Sequence, residues 1–198
     1  MQRSLNGQPK GRTHGSRTAT VTVAYLAVAV ALNVVCAYLT VPYVIPFTMQ
    51  TFGVFFVLCF LGGAKGTAAV AIYLALGMLG LPVFSGFKGG VAALMGPTGG
   101  YLLGFLASAL LFWLGSVVWR KKTTNVWAQS ALCVLGLAAC YLLGTVWFIY
   151  VYHATDSWSK ALLLCVVPYL LPDALKILLA VTLAKTLRRA LPASSGLR

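Results

Sequence analysis

Long apolar stretches, broken by short clusters of glycine, proline and basic residues, set the pattern of this chain. Residues 1–18 are polar, carry Arg3, Lys10, Arg12 and Arg17, and show no apolar periodicity, which predicts a disordered tail. A first apolar run follows over residues 19–40. About 20 apolar residues cross a bilayer core, so the run reads as a membrane span. It is too long for the core of a signal peptide, and Asn33-Val34-Val35 ahead of Cys36 is a poor lipoprotein cleavage site, so the span is expected to be retained. Val41-Pro42-Tyr43-Val44-Ile45-Pro46 stops it, because proline lacks the amide hydrogen and disfavours helix in the residue before it. Second and third runs over 48–61 and 67–79 flank a Gly62-Gly63-Ala64-Lys65-Gly66 turn. Both are short, which predicts tilt or a locally thinned bilayer. A loop over 80–98 leads to a fourth run at 99–119, a fifth at 126–152 and a sixth at 161–185. The pattern predicts an all-α, polytopic membrane protein, a bundle of six transmembrane helices over residues 19–190, with a short tail over 191–198.

Composition sharpens this picture. Hydrophobic residues make up 60% of the 198 positions and charged residues 9%, against roughly 25% charged in a soluble domain. A soluble enzyme is excluded on those grounds. Fifteen Lys and Arg face two acids, Asp156 and Asp173, for a net charge of +13. Such a balance would suit nucleic acid, but the basic residues fall in short clusters between apolar runs, as membrane topology requires. No nucleic-acid partner is expected. With the N-terminus in the cytoplasm, Lys65, Arg120, Lys121, Lys122, Lys185, Arg188, Arg189 and Arg198 join the basic tail inside, while Lys88 and Lys160 fall outside and Lys176 within a span. This bias supports an even number of spans with both termini cytoplasmic. The five cysteines, Cys36, Cys59, Cys133, Cys140 and Cys165, lie inside apolar runs without a C-x-x-C pair or nearby histidines, and read as small core residues rather than disulfides or metal ligands.

Helices in lipid approach closely through small residues. Gly96, Gly100, Gly104 and Ser108 recur every four positions, as do Gly136, Cys140 and Gly144, and these stripes predict contacts for the fourth and fifth spans. Ala27 and Ala31 form a further pair on the first span, facing either a neighbouring helix or another subunit.

The residues with most chemical content are Asp173 and Lys176, both inside the sixth run. Each charge within a span costs about 2.5–3.5 kcal/mol on insertion scales, which makes an ionisable residue there a functional hypothesis by default. Positions i and i+3 share a helix face, so the two can meet. Pro168 and Pro172 interrupt the backbone ladder nearby, as in the broken helices that frame transporter sites. The structural alternative is an ion pair that pins the sixth span to the bundle. Otherwise the couple offers one acceptor and one donor to a polar ligand, as a cyclic urea or amide requires. Lys88 in the Gly-rich loop and Thr98, placed to cap the fourth helix, form a second constellation suited to a carboxylate, with a turn-rich external loop as the alternative. Phe47, Tyr73, Phe84, Tyr101, Tyr141 and Tyr169 lie near these segments as core, interfacial or site residues. His14 and His153 lack the neighbours that acid–base or nucleophilic catalysis demands, and no G-x-x-x-x-G-K-[ST] phosphate loop occurs, so neither an enzyme nor an ATPase is expected.

Four motifs, Pro46-Phe47-Thr48-Met49-Gln50-Thr51, Gly80-Leu81-Pro82-Val83-Phe84, Gly96-Pro97-Thr98-Gly99-Gly100-Tyr101-Leu102-Leu103-Gly104 and Pro172-Asp173-Ala174-Leu175-Lys176, occur in an order that resembles the BioY family over residues 20–187. Members of that family are the biotin-specific substrate-binding (S) components of energy-coupling-factor (ECF) importers. The resemblance implies a six-helix S component with an outward-opening vitamin site in the cytoplasmic membrane, no cofactor, and biotin as transported ligand. It also implies docking on a transmembrane coupling subunit that carries two ATPases, through a face that includes Ala27 and Ala31, although some members work alone. On this basis Asp173 accepts from the ureido nitrogens, Lys176 donates to the ligand or holds Asp173, and Lys88 with Thr98 attracts the carboxylate. Tyr141, Tyr101, Gln50 and Phe84 supply walls and further hydrogen bonds. The reverse orientation, with Lys176 on the carboxylate, and another carboxylated vitamin or dethiobiotin as cargo, are the alternatives. The long basic tail and Phe87-Lys88 in the loop depart from the family pattern.

Overall fold

The computed structural model describes residues 13–43, 45–119, 125–153, 155 and 157–190. The protein is a mostly helical bundle: α1 (Thr13–Tyr38), β1 (Thr40–Val41), β2 (Phe47–Thr48), α2 (Gln50–Leu61), α3 (Gly63–Met78), α4 (Val91–Leu94), α5 (Gly99–Val118), α6 (Val126–Tyr150), α7 (Trp158–Cys165) and α8 (Val167–Ala190). Among the described residues, four helical stretches are long and apolar enough to cross a bilayer, Ala19–Tyr38, Gly99–Val118, Val126–Tyr150 and Val167–Ala190, while α2 and α3 are shorter apolar helices.

The short α2 is the central helix of the bundle. It contacts α1, α3, α5 and α8, and Gly53 through Cys59 are all buried. A helix that is apolar all round is enclosed by protein or by lipid, and for α2 much of the enclosure is protein. Around it, α5 and α6 form the closest pair, and the small-residue stripes face each other. A Cβ on Gly104 would lie 2.8 Å from the Cys140 Cα, Gly100 sits against Trp147, Gly144 against the Tyr101 ring, and Ser108 Oγ donates to the Gly136 carbonyl at 2.6 Å. All five cysteines are buried.

The structure departs from the expected boundaries in places that have local causes. α1 starts at Thr13, inside the stretch expected to be a disordered tail, because a helix nucleated by its apolar segment gains one hydrogen bond per added residue. Residues 1–12 and the tail over 191–198 lie outside the described residues. The Pro-rich connection is a small antiparallel ribbon, Thr40 opposite Thr48 and Val41 opposite Phe47, with both prolines kept out of the paired positions where an amide hydrogen is needed. The five-residue glycine turn contracts to Gly62, whose φ of 83° suits a residue without Cβ, and α3 begins at Gly63. The expected sixth span is two helices that meet at Val166. Pro168 lies in the first turn of α8, where its missing N–H is not needed, whereas Pro172 stays inside the helix.

The bundle has two chemically different ends. At one, Arg188 Nη1 donates to the Cys59 carbonyl at 3.3 Å and Gly63 packs on Ser116 and Trp113, so the α2–α3 turn, the end of α5 and the basic last turn of α8 meet. At the other, the ribbon and the 80–98 loop fold over the helices. Thr40 Oγ1 and Ser85 Oγ lie 3.0 Å apart, the Gly90 amide donates to the Gly77 carbonyl at 2.7 Å, and Tyr169 donates to the Ile45 carbonyl.

Candidate functional site

A cavity of about 180 Å³ lies under the ribbon and the loop. Its polar floor is built by α8, whose three-residue spacing points Asp173 and Lys176 the same way. Both are buried, at 3% and 6% exposure. Lys176 Nζ lies 2.8 Å from Asp173 Oδ1. The same oxygen accepts from Thr51 Oγ1 on α2 at 2.9 Å, and Oδ2 accepts from the Tyr141 hydroxyl on α6 at 2.6 Å. A carboxylate offers about four lone-pair sites, so among the described residues one remains open, on Oδ2. Lys176 also donates to the Thr48 carbonyl at 2.7 Å, and its ammonium stands 3.9 Å from the centre of the Phe47 ring. Charges taken out of water must be paired and hydrogen-bonded, and this couple is both.

The loop is tied to the bundle by a relay. Gln50 Nε2 donates to the Tyr73 hydroxyl at 2.6 Å, which donates to the Val83 carbonyl at 3.1 Å. Phe84 stands edge-on to Tyr73, 5.6 Å between centroids, over Gly77, where any Cβ would overlap its ring. Tyr101 donates to the Cys165 carbonyl at 3.3 Å, joining α5 to the end of α7. Lys88 is exposed, with its backbone bridged to Phe84.

Asp173, Lys176, Tyr141, Lys88, Gln50, Phe84, Tyr101 and Thr98 all line this one cavity. Thr98, however, is not the side-chain cap expected of it. Its backbone is already helical (φ −94°, ψ −3°) and its hydroxyl makes no cap bond. The Gly99 and Tyr101 amides are taken up by the Gly96 and Thr98 carbonyls, each at 3.1 Å, so this helix end offers an anion less than its sequence implied. Ala27 and Ala31 are exposed on the outer side of α1, beside the exposed Val23, Val28 and Val35, and away from the cavity.

Sequence reasoning missed Thr51, which holds Asp173 from the neighbouring helix α2. The available signal was a hydroxyl next to Gln50 at the start of an otherwise apolar helix. The Thr48 carbonyl had no signal at all, since main-chain acceptors are the same at every position.

Comparison with known proteins supplies the family. Residues 8–193 match the model of the BioY family. A biotin transporter BioY from Thermotoga maritima is 41% identical over 160 residues, covering 80% of this chain and 90% of the relative. A probable biotin transporter BioY from Pyrococcus horikoshii is 35% identical over 167 residues, covering 84% and 95%. Among solved structures, the S-component for biotin from an ECF-type ABC transporter superposes with a TM-score of 0.80 at 24% identity, over 95% of this chain and all of that one, a likeness of fold. With a family model spanning nearly its whole length and relatives matched over most of theirs, the chain belongs to the BioY family.

Proposed function

We propose that this protein captures biotin at the outer face of the cytoplasmic membrane and delivers it inward, either docked on an ECF coupling subunit with two ATPases or alone. The observation that carries this reading is the buried Asp173–Lys176 couple, which faces a cavity and keeps one carboxylate acceptor open. Biotin has a matching chemistry, with two N–H donors and a carbonyl on its ureido ring and a carboxylate at the end of an apolar tail. Asp173 accepts from the ring, with Tyr141, Gln50 and Tyr101 around it, Phe84 walls the tail, and Lys88 attracts the carboxylate near Thr98. The names of the relatives favour biotin over dethiobiotin or another carboxylated vitamin.

The same reading gives six spans, α1, α2, α3, α5, α6 and the α7–α8 pair, with both termini cytoplasmic. Support comes from charge: Lys65, Lys185, Arg188 and Arg189 belong to the end opposite the cavity, where the positive-inside rule wants cations. Ala27 and Ala31 then belong to the docking face for the coupling subunit.

Binding of labelled biotin to the detergent-purified chain tests the proposal. Wild type binds, and Asp173→Asn and Lys176→Ala, each removing a hydrogen bond to a charged group, weaken binding by about ten- to a hundredfold. A wild type without affinity, or two variants that bind as well as it does, would overturn the assignment.

A further inference from the structure

Phe47 does not line the cavity, although its neighbours Pro46 and Thr48 do. Its side chain turns instead to Tyr169 and Lys176 of α8. There its ring stacks on Tyr169, 6.3 Å between centroids at 18°, and covers the Lys176 ammonium at 3.9 Å. An ammonium has three donors and no acceptor. Two of the three reach oxygens, Asp173 Oδ1 and the Thr48 carbonyl, and the ring face covers a further side of the head group.

We infer that Phe47 is a positioning residue of the site, acting through Lys176: its ring holds the ammonium at Asp173 Oδ1 and thereby keeps Oδ2 open to the ligand. The inference rests on the biotin reading for its consequence, but not for the contact itself. A cation within about 6 Å of a ring centroid is drawn to the electron-rich face, most strongly where water is excluded. An aliphatic side chain would fill the space without that attraction. The ammonium would then be free to lean into the cavity, take Oδ2 and compete with the ligand's N–H. The same contact links the ribbon to α8, alongside the Tyr169–Ile45 hydrogen bond, so the ribbon's seating and the ammonium's position depend on each other.

The test uses the full chain in detergent with Phe47→Leu and with 4-fluoro-, 3,5-difluoro- and 3,4,5-trifluorophenylalanine placed at position 47. Fluorination drains the ring face at nearly constant size, so the series stays informative even where Phe47→Leu fails to fold. Two quantities are read, the Kd for biotin and the NMR resonance of the Lys176 ammonium, assigned by its loss in Lys176→Arg. The Kd rises stepwise with fluorine and by roughly two- to thirtyfold in Phe47→Leu. The ammonium resonance, shifted upfield by the ring in wild type, moves downfield as the contact weakens. A Kd flat across the series, or an ammonium resonance indifferent to Phe47→Leu, overturns the inference. A wild type that shows the ring-shifted ammonium but binds no biotin upholds the contact and removes the vitamin reading instead.

Discussion

Asp173 and Lys176 are costlier to bury singly than together. Removing one partner of a buried pair leaves an uncompensated charge and costs about 3–5 kcal/mol, whereas replacing both with groups of similar shape is often neutral. Lys176→Met should therefore lower the thermal unfolding midpoint markedly, and Asp173→Asn combined with Lys176→Met should restore most of it without restoring biotin binding. Thermal unfolding followed by tryptophan fluorescence, beside the binding assay, checks both halves; a double variant that regains affinity would mean that the pair serves the fold alone. These two residues were legible because charge inside an apolar run has few reasons to exist. Thr51 was not, since a helical hydroxyl is commonly satisfied by the carbonyl one turn back, and nothing in the chain says that this one reaches across to Asp173 at 2.9 Å. Thr98 shows the opposite failure. The residue type and position suggested a cap, but the chain enters α5 through a tight turn that is already helical and leaves the hydroxyl uninvolved.

At the scale of elements, the apolar runs located the long helices, with α1 starting six residues early, because hydropathy reports lipid or protein burial over a whole turn; the single turn α4, inside the expected loop, is too short to register. Hydropathy does not report direction. The break at Val166 is invisible to it, as the apolar character continues from α7 into α8 while the backbone turns. The β1–β2 ribbon pairs only two residues per strand, too few for alternation to register. Burial of α2 largely within protein was equally hidden, because an enclosed helix and a lipid-facing one have similar composition. The stripes on α5 and α6 were readable, and their contact is tight enough to test. Gly104→Val places atoms against the Cys140 backbone, with a Cβ only 2.8 Å from its Cα. Overpacking of this kind costs about 1–3 kcal/mol. The variant should unfold at a lower temperature, with a broadened size-exclusion profile in detergent, whereas the exposed Val28→Ala should leave both unchanged.

For the molecule as a whole, the basic last turn of α8 and the cavity lie at opposite ends of the bundle. The exposed small-residue face of α1 lies apart from the cavity, so a bulky group there need not disturb the ligand. Ala27→Trp and Ala31→Trp should keep biotin affinity within about twofold while impairing uptake by cells that carry the coupling and ATPase subunits, measured with labelled vitamin; surface substitutions away from buried features usually change stability by less than about 0.5 kcal/mol. Uptake unaffected by either change would place the docking face elsewhere or point to solitary operation. The equal and opposite charges on the floor of the cavity have one more effect. Across a bilayer each uncompensated elementary charge is worth about 2.3 kcal/mol per 100 mV, but this floor sums to zero and an anionic passenger met by Lys88 would add a second cancelling pair. With the passenger so paired, membrane voltage would find little to pull on in the loaded compartment, which would leave protein partners or the passenger's own gradient to drive release.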